Sequence, residues 1–204
     1  MSGAATHWPE GRLSIEQYLA WAETDVAGRH ELVDGRVVAM SPERVRHNRA
    51  KGAMFRALSE AVARSELPCE VFTDGVGVRT GEATVREPDA SVQCGVSADP
   101  DAMILERPLI VVEVVSPGSG LMDTGRKLVE YFDIDSVQHY LIVDPELGAV
   151  VHHARAGNGV STSIHRGGSV RLDPPGIELM LDAVIGAGQR GEPSANIADG
   201  EVGQ

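Results

Sequence analysis

The chain has 204 residues, a formal net charge of −12 and an isoelectric point near 4.9. The length suits one domain with its own core, and the acidity excludes generic, salt-driven binding to phosphate backbones, so any contact with nucleic acid has to be local. No basic flank precedes an apolar run near the start of the sequence, and no stretch is long enough to span a bilayer. Two cysteines, Cys69 and Cys94, are too few for a disulfide framework. We therefore expect a cytoplasmic protein without membrane contact, with both thiols reduced.

The first predicted elements are a helix and a hairpin. Residues 13–23 have apolar side chains at helical spacing after a candidate N-cap, Ser14. Residues 30–40 change to two short strand-like runs joined by Asp34 and Gly35. This dipeptide favours type I′ hairpin turns, because both central residues need a positive φ.

Residues 45–64 return to helical spacing, with one apolar stripe that includes Ala50, Met54 and Leu58. His47 falls on the same stripe, so we expect it to point inward, toward the core or a cleft. A packed, hydrogen-bonded histidine is more frequent at such a position than a ligand.

Positive charge is concentrated at the start of this helix. A solvated helix face would explain the cluster, but it is also where a phosphate-binding surface is expected. Its members are Arg44, Arg46, Arg49, Lys51 and Arg56.

Strands are predicted through most of the remaining chain, at 69–74, 76–79, 84–94 and 108–116. The run LIVVEVV is apolar on both alternating faces apart from Glu113, which is typical of a central strand covered on both sides. A helix then follows from the candidate N-cap Asp123 to about residue 135. The C-terminal part is rich in strands, with a hairpin at 138–155, strands at 160–166 and 169–172, and a last apolar segment at 176–185.

A carboxylate inside an apolar strand is costly unless it is paired or binds a cation. A salt-bridged core glutamate would explain Glu113 by itself. However, Asp89 lies in the preceding strand-like run, and neighbouring strands can bring two carboxylates together over a hard cation such as Mg²⁺. Pro-Asp is also common in turns, but the ASVQC that follows Pro88-Asp89 is strand-like. We interpret the pair as a candidate metal site.

Lys127 is the candidate cationic partner of the two acids. Asp123, Lys127 and Tyr131 recur at four-residue steps and share one helix face. An ordinary Asp-to-Lys helix pair would also account for the lysine. Because the helix starts a short loop after the Glu113 strand, its first turns can lie over the carboxyl end of that strand, where open α/β sheets bind their ligands.

Four segments, in this order and with these separations, carry a resemblance to a known family: ELVDGRVVAMSPERVRHN, VREPDASVQC, LIVVEVVSPGSGLMDTGRKLVEYFDID and HYLIVDP. Over residues 13–185 the chain resembles the Uma-type family of restriction-endonuclease-like proteins, within the PD-(D/E)XK nuclease superfamily. The resemblance implies an α/β fold whose mixed β-sheet core is flanked by helices, with an N-terminal β-hairpin and a strand-rich C-terminal part. Residues 1–12 are expected to be a flexible N-terminus and 186–204 a disordered tail.

The resemblance also implies the roles of the site residues. Asp89 and Glu113 would bind Mg²⁺ or Mn²⁺, together with the Val114 carbonyl. In the general superfamily pattern the catalytic lysine lies two residues beyond the second acid, a position that Val115 occupies here. Uma-type proteins look as though this lysine has moved to the following helix, where this chain has Lys127. Glu31 corresponds to a further catalytic acid. His47, Asp123 and Tyr131 are candidate supporting residues.

This set of residues predicts a metal-dependent endonuclease that hydrolyses DNA through a Mg²⁺-activated water. Lys127 is expected to position groups and stabilise charge, because an ammonium is not a general base unless its pKa is depressed. The acidity and the missing strand lysine favour an alternative, a catalytically silent nuclease-fold interaction or regulatory domain, and a hydrolase of smaller phosphoesters would also fit the acidity. Cleavage of two strands and the prevalence of two-fold oligomers predict a homodimer.

Overall fold

The structure, a computed structural model, describes residues 8–24, 28–115 and 121–189, with side chains described from 124 to 187 in the last range. The helices are α1 (Ile15–Ala22), α2 (Val45–Ser65), α3 (Leu121–Phe132) and α4 (Asp182–Gln189). The strands are β1 (His30–Val33), β2 (Arg36–Ala39), β3 (Cys69–Thr73), β4 (Gly77–Gly81), β5 (Thr84–Arg86), β6 (Ala90–Cys94), β7 (Ile104–Leu105), β8 (Pro108–Val114), β9 (His139–Asp144), β10 (Ala149–Ala156), β11 (Gly159–His165), β12 (Ser169–Leu172) and β13 (Ile177–Met180).

The strands form two mixed sheets and a separate hairpin. The larger sheet has the order β11-β10-β9-β8-β6-β3, the smaller one has the order β2-β1-β5-β4-β7, and β12 pairs with β13. In the larger sheet β8 and β9 are parallel, whereas β6 and β8 are antiparallel. Parallel neighbours need a crossover connection, and α3 lies within the connection from β8 to β9. The predicted α/β fold, a mixed sheet flanked by helices, is confirmed.

The larger sheet is covered on both faces around β8. Ile110 and Val112 are fully buried with the apolar stripe of α2 and with α4. Val111 points to the other face, where it packs with Tyr131 of α3 and Tyr140 of β9. The prediction of a central strand buried on both sides is therefore correct, and Glu113 shares the face of Val111 by alternation.

Two local predictions are confirmed in detail. Ser14 caps α1 in a capping box: its Oγ accepts a hydrogen bond from Gln17 N, and the Gln17 side chain accepts one from Ser14 N. The turn between β1 and β2 has φ values of 49° at Asp34 and 76° at Gly35, as a type I′ turn requires.

Residues 84–94 are two strands in different sheets, and the prediction of one strand was wrong. β5 pairs with β1 and β4 in the smaller sheet, whereas β6 pairs with β3 and β8 in the larger one. Pro88 lies in the connection, where it has no N–H to donate to a ladder. The chain therefore changes sheets immediately before the site residue Asp89.

The C-terminal segment predicted at 176–185 is also two elements, because β13 ends at Met180 and α4 continues to Gln189. At the other end, the ring of Trp8 packs on that of Trp21 with centroids 5.6 Å apart. Residues 186–189, predicted to belong to a disordered tail, are part of α4. The domain boundaries otherwise stay predictions, because residues 1–7 and 190–204 lie outside the described residues. None of the helices in the described part of the chain has the length and apolar character to cross a bilayer.

The prediction of two reduced thiols was wrong. Cys69 of β3 lies opposite Cys94 of β6 in the antiparallel register, and their side chains form a disulfide. Side chains of directly opposed residues are close neighbours on one sheet face. Composition could not show this pairing, because it depends on the register of two strands.

Candidate active site

Asp89 and Glu113 lie opposite one another at the end of the β6–β8 pair. Ala90 pairs with Val112, so the antiparallel register places Asp89 across from Glu113. Asp89 N donates to Val112 O at 3.0 Å, and Asp89 Oδ2 accepts from Val114 N at 2.7 Å. Directly opposed residues share a sheet face, and both acids line one cleft of about 470 Å³. The structure thus brings the two predicted ligands together.

The two donors to Glu113 come from α3. Lys127 Nζ lies 2.9 Å from Glu113 Oε1, and the Tyr131 hydroxyl donates to the same oxygen at 2.7 Å. Lys127 Nζ is also 3.7 Å from Glu31 Oε1. The helix face predicted for Lys127 and Tyr131 therefore covers the Glu113 carboxylate.

Burial raises the pKa of Glu113 above its ordinary value, and the nearby charge of Asp89 adds to this, although Lys127 and the Tyr131 hydrogen bond act in the opposite direction. Burial, followed by the charge of Glu113, likewise raises the pKa of Tyr131, so its hydroxyl stays protonated and remains a donor. Two neighbouring buried carboxylates favour a cation between them.

Glu31 lines the same cleft and is held by two donors of its own. Its Oε2 accepts from Arg86 Nη1 at 3.0 Å, and its Oε1 accepts from Glu87 N at 3.1 Å. Arg86 is buried and also binds Glu130 through Nε at 2.7 Å and Nη2 at 3.1 Å. These donors hold the Glu31 carboxylate where its Oε1 lies 3.7 Å from Lys127 Nζ.

A second group of polar side chains meets Asp89 Oδ1 from the side of α2. His47 Nε2 lies 3.3 Å from this oxygen and Lys51 Nζ 3.7 Å from it. The His47 side chain is 13% exposed, so it points inward, as its helical phase predicted. The candidate ligand atoms of Glu43, His47 and Asp89 all lie within 4.8 Å of one another. We did not predict Glu43 as part of the site.

Lys51 was predicted to contact nucleic acid, but its side chain is buried among acids. It is 5% exposed, and its ammonium contacts the Glu43 carboxylate and lies 2.9 Å from Asp74 Oδ2. Burial opposes its charge, but the hydrogen bonds to Glu43 and Asp74 raise the pKa of Lys51. Lys51 lies one turn after His47, on the inward face of α2, which the helical spacing could have shown.

The arginines of the same cluster behave as predicted in one respect, since Arg44, Arg46 and Arg49 are all exposed. Arg44 and Arg46 line a smaller pocket that also includes His47 and Val115. Arg46 Nη1 is 3.1 Å from Glu146 Oε1. Arg44 and Arg46 thus lie next to the cleft, because His47 lines both pockets, whereas Lys51 is buried beside Asp89.

Asp123 was predicted as the N-cap of its helix, and this was wrong, because α3 begins at Leu121. The predicted supporting role of the Asp123 side chain lies outside the described residues.

A family model matches most of the chain, and a sequence relative and a solved structure are also similar to it. Residues 15–183 match Uma2, described as "Putative restriction endonuclease". An uncharacterized protein of Synechocystis sp. is 27% identical over 136 residues, which cover 66% of this chain and 70% of the relative. The crystal structure of a "putative nuclease" belonging to DUF820 from Anabaena variabilis has a TM-score of 0.68 at 14% identity, covers 86% of this chain and 99% of its own, and shows the same fold. The chain therefore belongs to the Uma2 family.

Proposed function

We propose that the protein is a metal-dependent endonuclease that hydrolyses DNA phosphodiester bonds. The observation that carries the proposal is the opposed pair of buried carboxylates, Asp89 and Glu113, with Lys127 bound to Glu113 in one cleft. The description of the Uma2 family supports the reaction and the substrate.

The donor set fits a hard divalent cation such as Mg²⁺ or Mn²⁺, which prefers carboxylate and carbonyl oxygens. Glu113 Oε1 has two donors, whereas Oε2 accepts no hydrogen bond among the described residues. Asp89 Oδ2 accepts from Val114 N, so the oxygen proposed to bind the ion is Oδ1, which lies 3.3 Å from His47 Nε2 and 3.7 Å from Lys51 Nζ. Val114 also lines the cleft, so its carbonyl is the third proposed ligand.

When bound, the ion would supply an activated water and polarise the phosphate. The protein residues bind the ion, orient its ligands and stabilise charge. Asp89 and Glu113 hold the ion, and Lys127 provides a fixed positive charge for the phosphate while it orients Glu113. Glu31 and Arg86 keep the ammonium of Lys127 in place from the adjoining sheet.

We assign DNA contact to the exposed arginines at the start of α2, Arg44, Arg46 and Arg49, of which Arg44 and Arg46 line the pocket beside the cleft. A local basic cluster can bind phosphates on a protein that is acidic overall. A two-fold homodimer in the cytoplasm would place one active site at each strand of a duplex. Light scattering measures the oligomeric state.

A catalytically silent interaction or regulatory domain is the second candidate. The observation that favours it is that Glu31 and Glu43 already have the protein cations Arg86 and Lys51 as partners. Much of the acidic charge at the cleft is thus compensated without a metal.

Cleavage of supercoiled plasmid with Mg²⁺ or Mn²⁺ separates the two candidates. Asp89→Asn is the sharper variant, because the amide oxygen can still accept from Val114 N while the negative charge is removed. Asp101→Asn, at an exposed position outside the cleft, is the matched control. We expect metal-dependent cleavage by the wild type and the control, and its loss in Asp89→Asn. Equal cleavage by all three proteins, or none by the wild type with either metal, would favour the silent domain.

A further inference from the structure

Both lysines of this chain lie at the carboxylate pair. The sequence contains sixteen arginines but only two lysines, Lys51 and Lys127. Lys127 reaches Glu113 from α3, and Lys51 approaches Asp89 from α2. All the other Lys or Arg side chains of the sequence are arginines, and Lys51 is 5% exposed, so it is not a member of a basic surface.

Lys51 is held as a buried cation among acids. Its ammonium contacts Glu43, Asp74 and Asp89, and its side chain is 6% exposed. A buried charge needs such partners, because its desolvation is otherwise uncompensated. Arg29 contacts Glu43 and Asp74 from the other side of this acidic group.

The ammonium of Lys51 lies beside a candidate metal position. Glu43, His47 and Asp89 have ligand atoms close enough to surround one ion. Lys51 contacts two of these three residues, Glu43 and Asp89. A divalent ion in that triad would lie against the ammonium and compete with it for the same oxygens.

We propose that Lys51 is a built-in cation that takes the place of a second metal ion, so that the cleft holds one divalent ion, at Asp89 and Glu113. This inference rests on the proposed function. Lys51 is a positioning residue: it fixes Asp89 Oδ1 and Glu43 and leaves Glu113 to Lys127. A compact ammonium suits this place because it can meet three carboxylates at once.

The test counts bound Mn²⁺ on the full chain by electron paramagnetic resonance. Lys51→Met keeps most of the side-chain volume and removes the charge, so we expect this variant to bind one more ion per chain than the wild type. Adding His47→Ala to Lys51→Met should remove the extra ion, because the triad loses a ligand. Lys51→Arg keeps the charge and should bind as many ions as the wild type.

The outcomes separate this inference from the proposed function. The proposed metal site would be overturned if Glu113→Gln bound as much Mn²⁺ as the wild type. The inference about Lys51 depends on the number of Mn²⁺ ions gained in Lys51→Met. It would be overturned if Lys51→Met bound no additional ion. It would also be overturned if the wild type bound a second ion that His47→Ala removed. If Lys51→Met does not fold, Asp74→Asn with Lys51→Met lowers the unpaired negative charge and keeps the triad, and the same gain is required of it.

Discussion

The Tyr131 hydroxyl donates a 2.7 Å hydrogen bond to Glu113 Oε1 from a side chain with no solvent exposure. Lys127, one helical turn earlier, contacts the same oxygen. Because both donors come from α3, they fix the orientation of the carboxylate from one side. The other oxygen, Oε2, is the one assigned to the proposed metal ion.

Tyr131→Phe should lower both stability and metal affinity. A hydrogen bond to a charged group contributes about 1.5–3 kcal/mol, so we expect the free energy of unfolding to fall by up to that amount. The Tyr131 bond also lowers the pKa of Glu113 against the effect of burial, so Mn²⁺ binding should need a higher pH in the variant. Tyr18→Phe, which removes a buried hydroxyl bound to His30 O, is the control. It should change stability without changing the pH dependence of Mn²⁺ binding.

Lys127→Ala should abolish most plasmid cleavage while the fold stays intact. Loss of one preorganised electrostatic group typically reduces a rate by roughly 10²–10³-fold. Lys127→Arg should recover only part of the rate, because the broad guanidinium differs in shape and donor geometry from an ammonium. Circular dichroism controls for folding. Full activity in Lys127→Ala would refute this role, and recovery by Val115→Lys in that background would support the migration of one functional group.

Glu113→Gln should stabilise the metal-free protein at neutral pH. Burial raises the pKa of Glu113 in the folded state. Its protonated form therefore contributes to the free energy of unfolding below the unfolded pKa of about 4.3. This contribution is lost as the pH rises through the folded pKa. Glutamine remains neutral throughout. The stability of the variant relative to the wild type should therefore increase from acid to neutral pH, measured by urea unfolding in a chelator.

Other acids titrate in the same range, but the comparison between these two proteins isolates Glu113. Burial acts against the ionised forms of Glu43 and Asp74, yet hydrogen bonds from Lys51 lower the pKa of both, and both proteins contain them. Mg²⁺ at 100 times its dissociation constant should stabilise the wild type by about 2.7 kcal/mol and leave Glu113→Gln unchanged. A stability difference that is independent of pH would contradict the predicted role of burial.

Arg44→Ala with Arg46→Ala should weaken DNA binding and its salt dependence. Each phosphate contact that is lost should reduce the slope of log K against log salt by about 0.9. Arg64→Ala is the matched control, because Arg64 lies at the other end of α2 and its side chain is half exposed. Filter binding over a salt series measures both quantities. Equal slopes for the double variant and the wild type would place the DNA elsewhere.

The disulfide between Cys69 and Cys94 should be detectable as an absence of titratable thiols in denatured, unreduced protein. The bridge joins residues 25 apart in sequence, and a loop of this size typically contributes about 2–4 kcal/mol. Cys69→Ser with Cys94→Ser should lower the free energy of unfolding by that amount. Two free thiols in the untreated protein would show that the bridge does not form.

Local sequence patterns were sufficient for Glu113 and for the helix that carries Lys127. Each of these signals lies within a short stretch of sequence. Glu113 is a charged residue inside an apolar run, and the helix of Lys127 has polar residues at four-residue steps. The pair of Arg86 and Glu31 gave no such signal, because it joins residues 55 apart through the pairing of β1 with β5. Lys51 is an intermediate case. Its position on the helix predicts that its side chain points inward. Its contact with Asp74, however, depends on how β3 packs beside α2, which the local sequence does not show.

The crossover from β8 to β9 has a consequence for the timing of synthesis. Asp89 and Glu113 leave the ribosome before Lys127, and Tyr131 of α3 packs against Tyr140 of β9, which is synthesised later and pairs with β8. A nascent chain therefore carries both acids without the ammonium that completes the cleft. If the proposed function holds, the residues assigned to catalysis are not assembled until the chain has been synthesised through Asp144, the last residue of β9, and the parallel pair of β8 and β9 has formed.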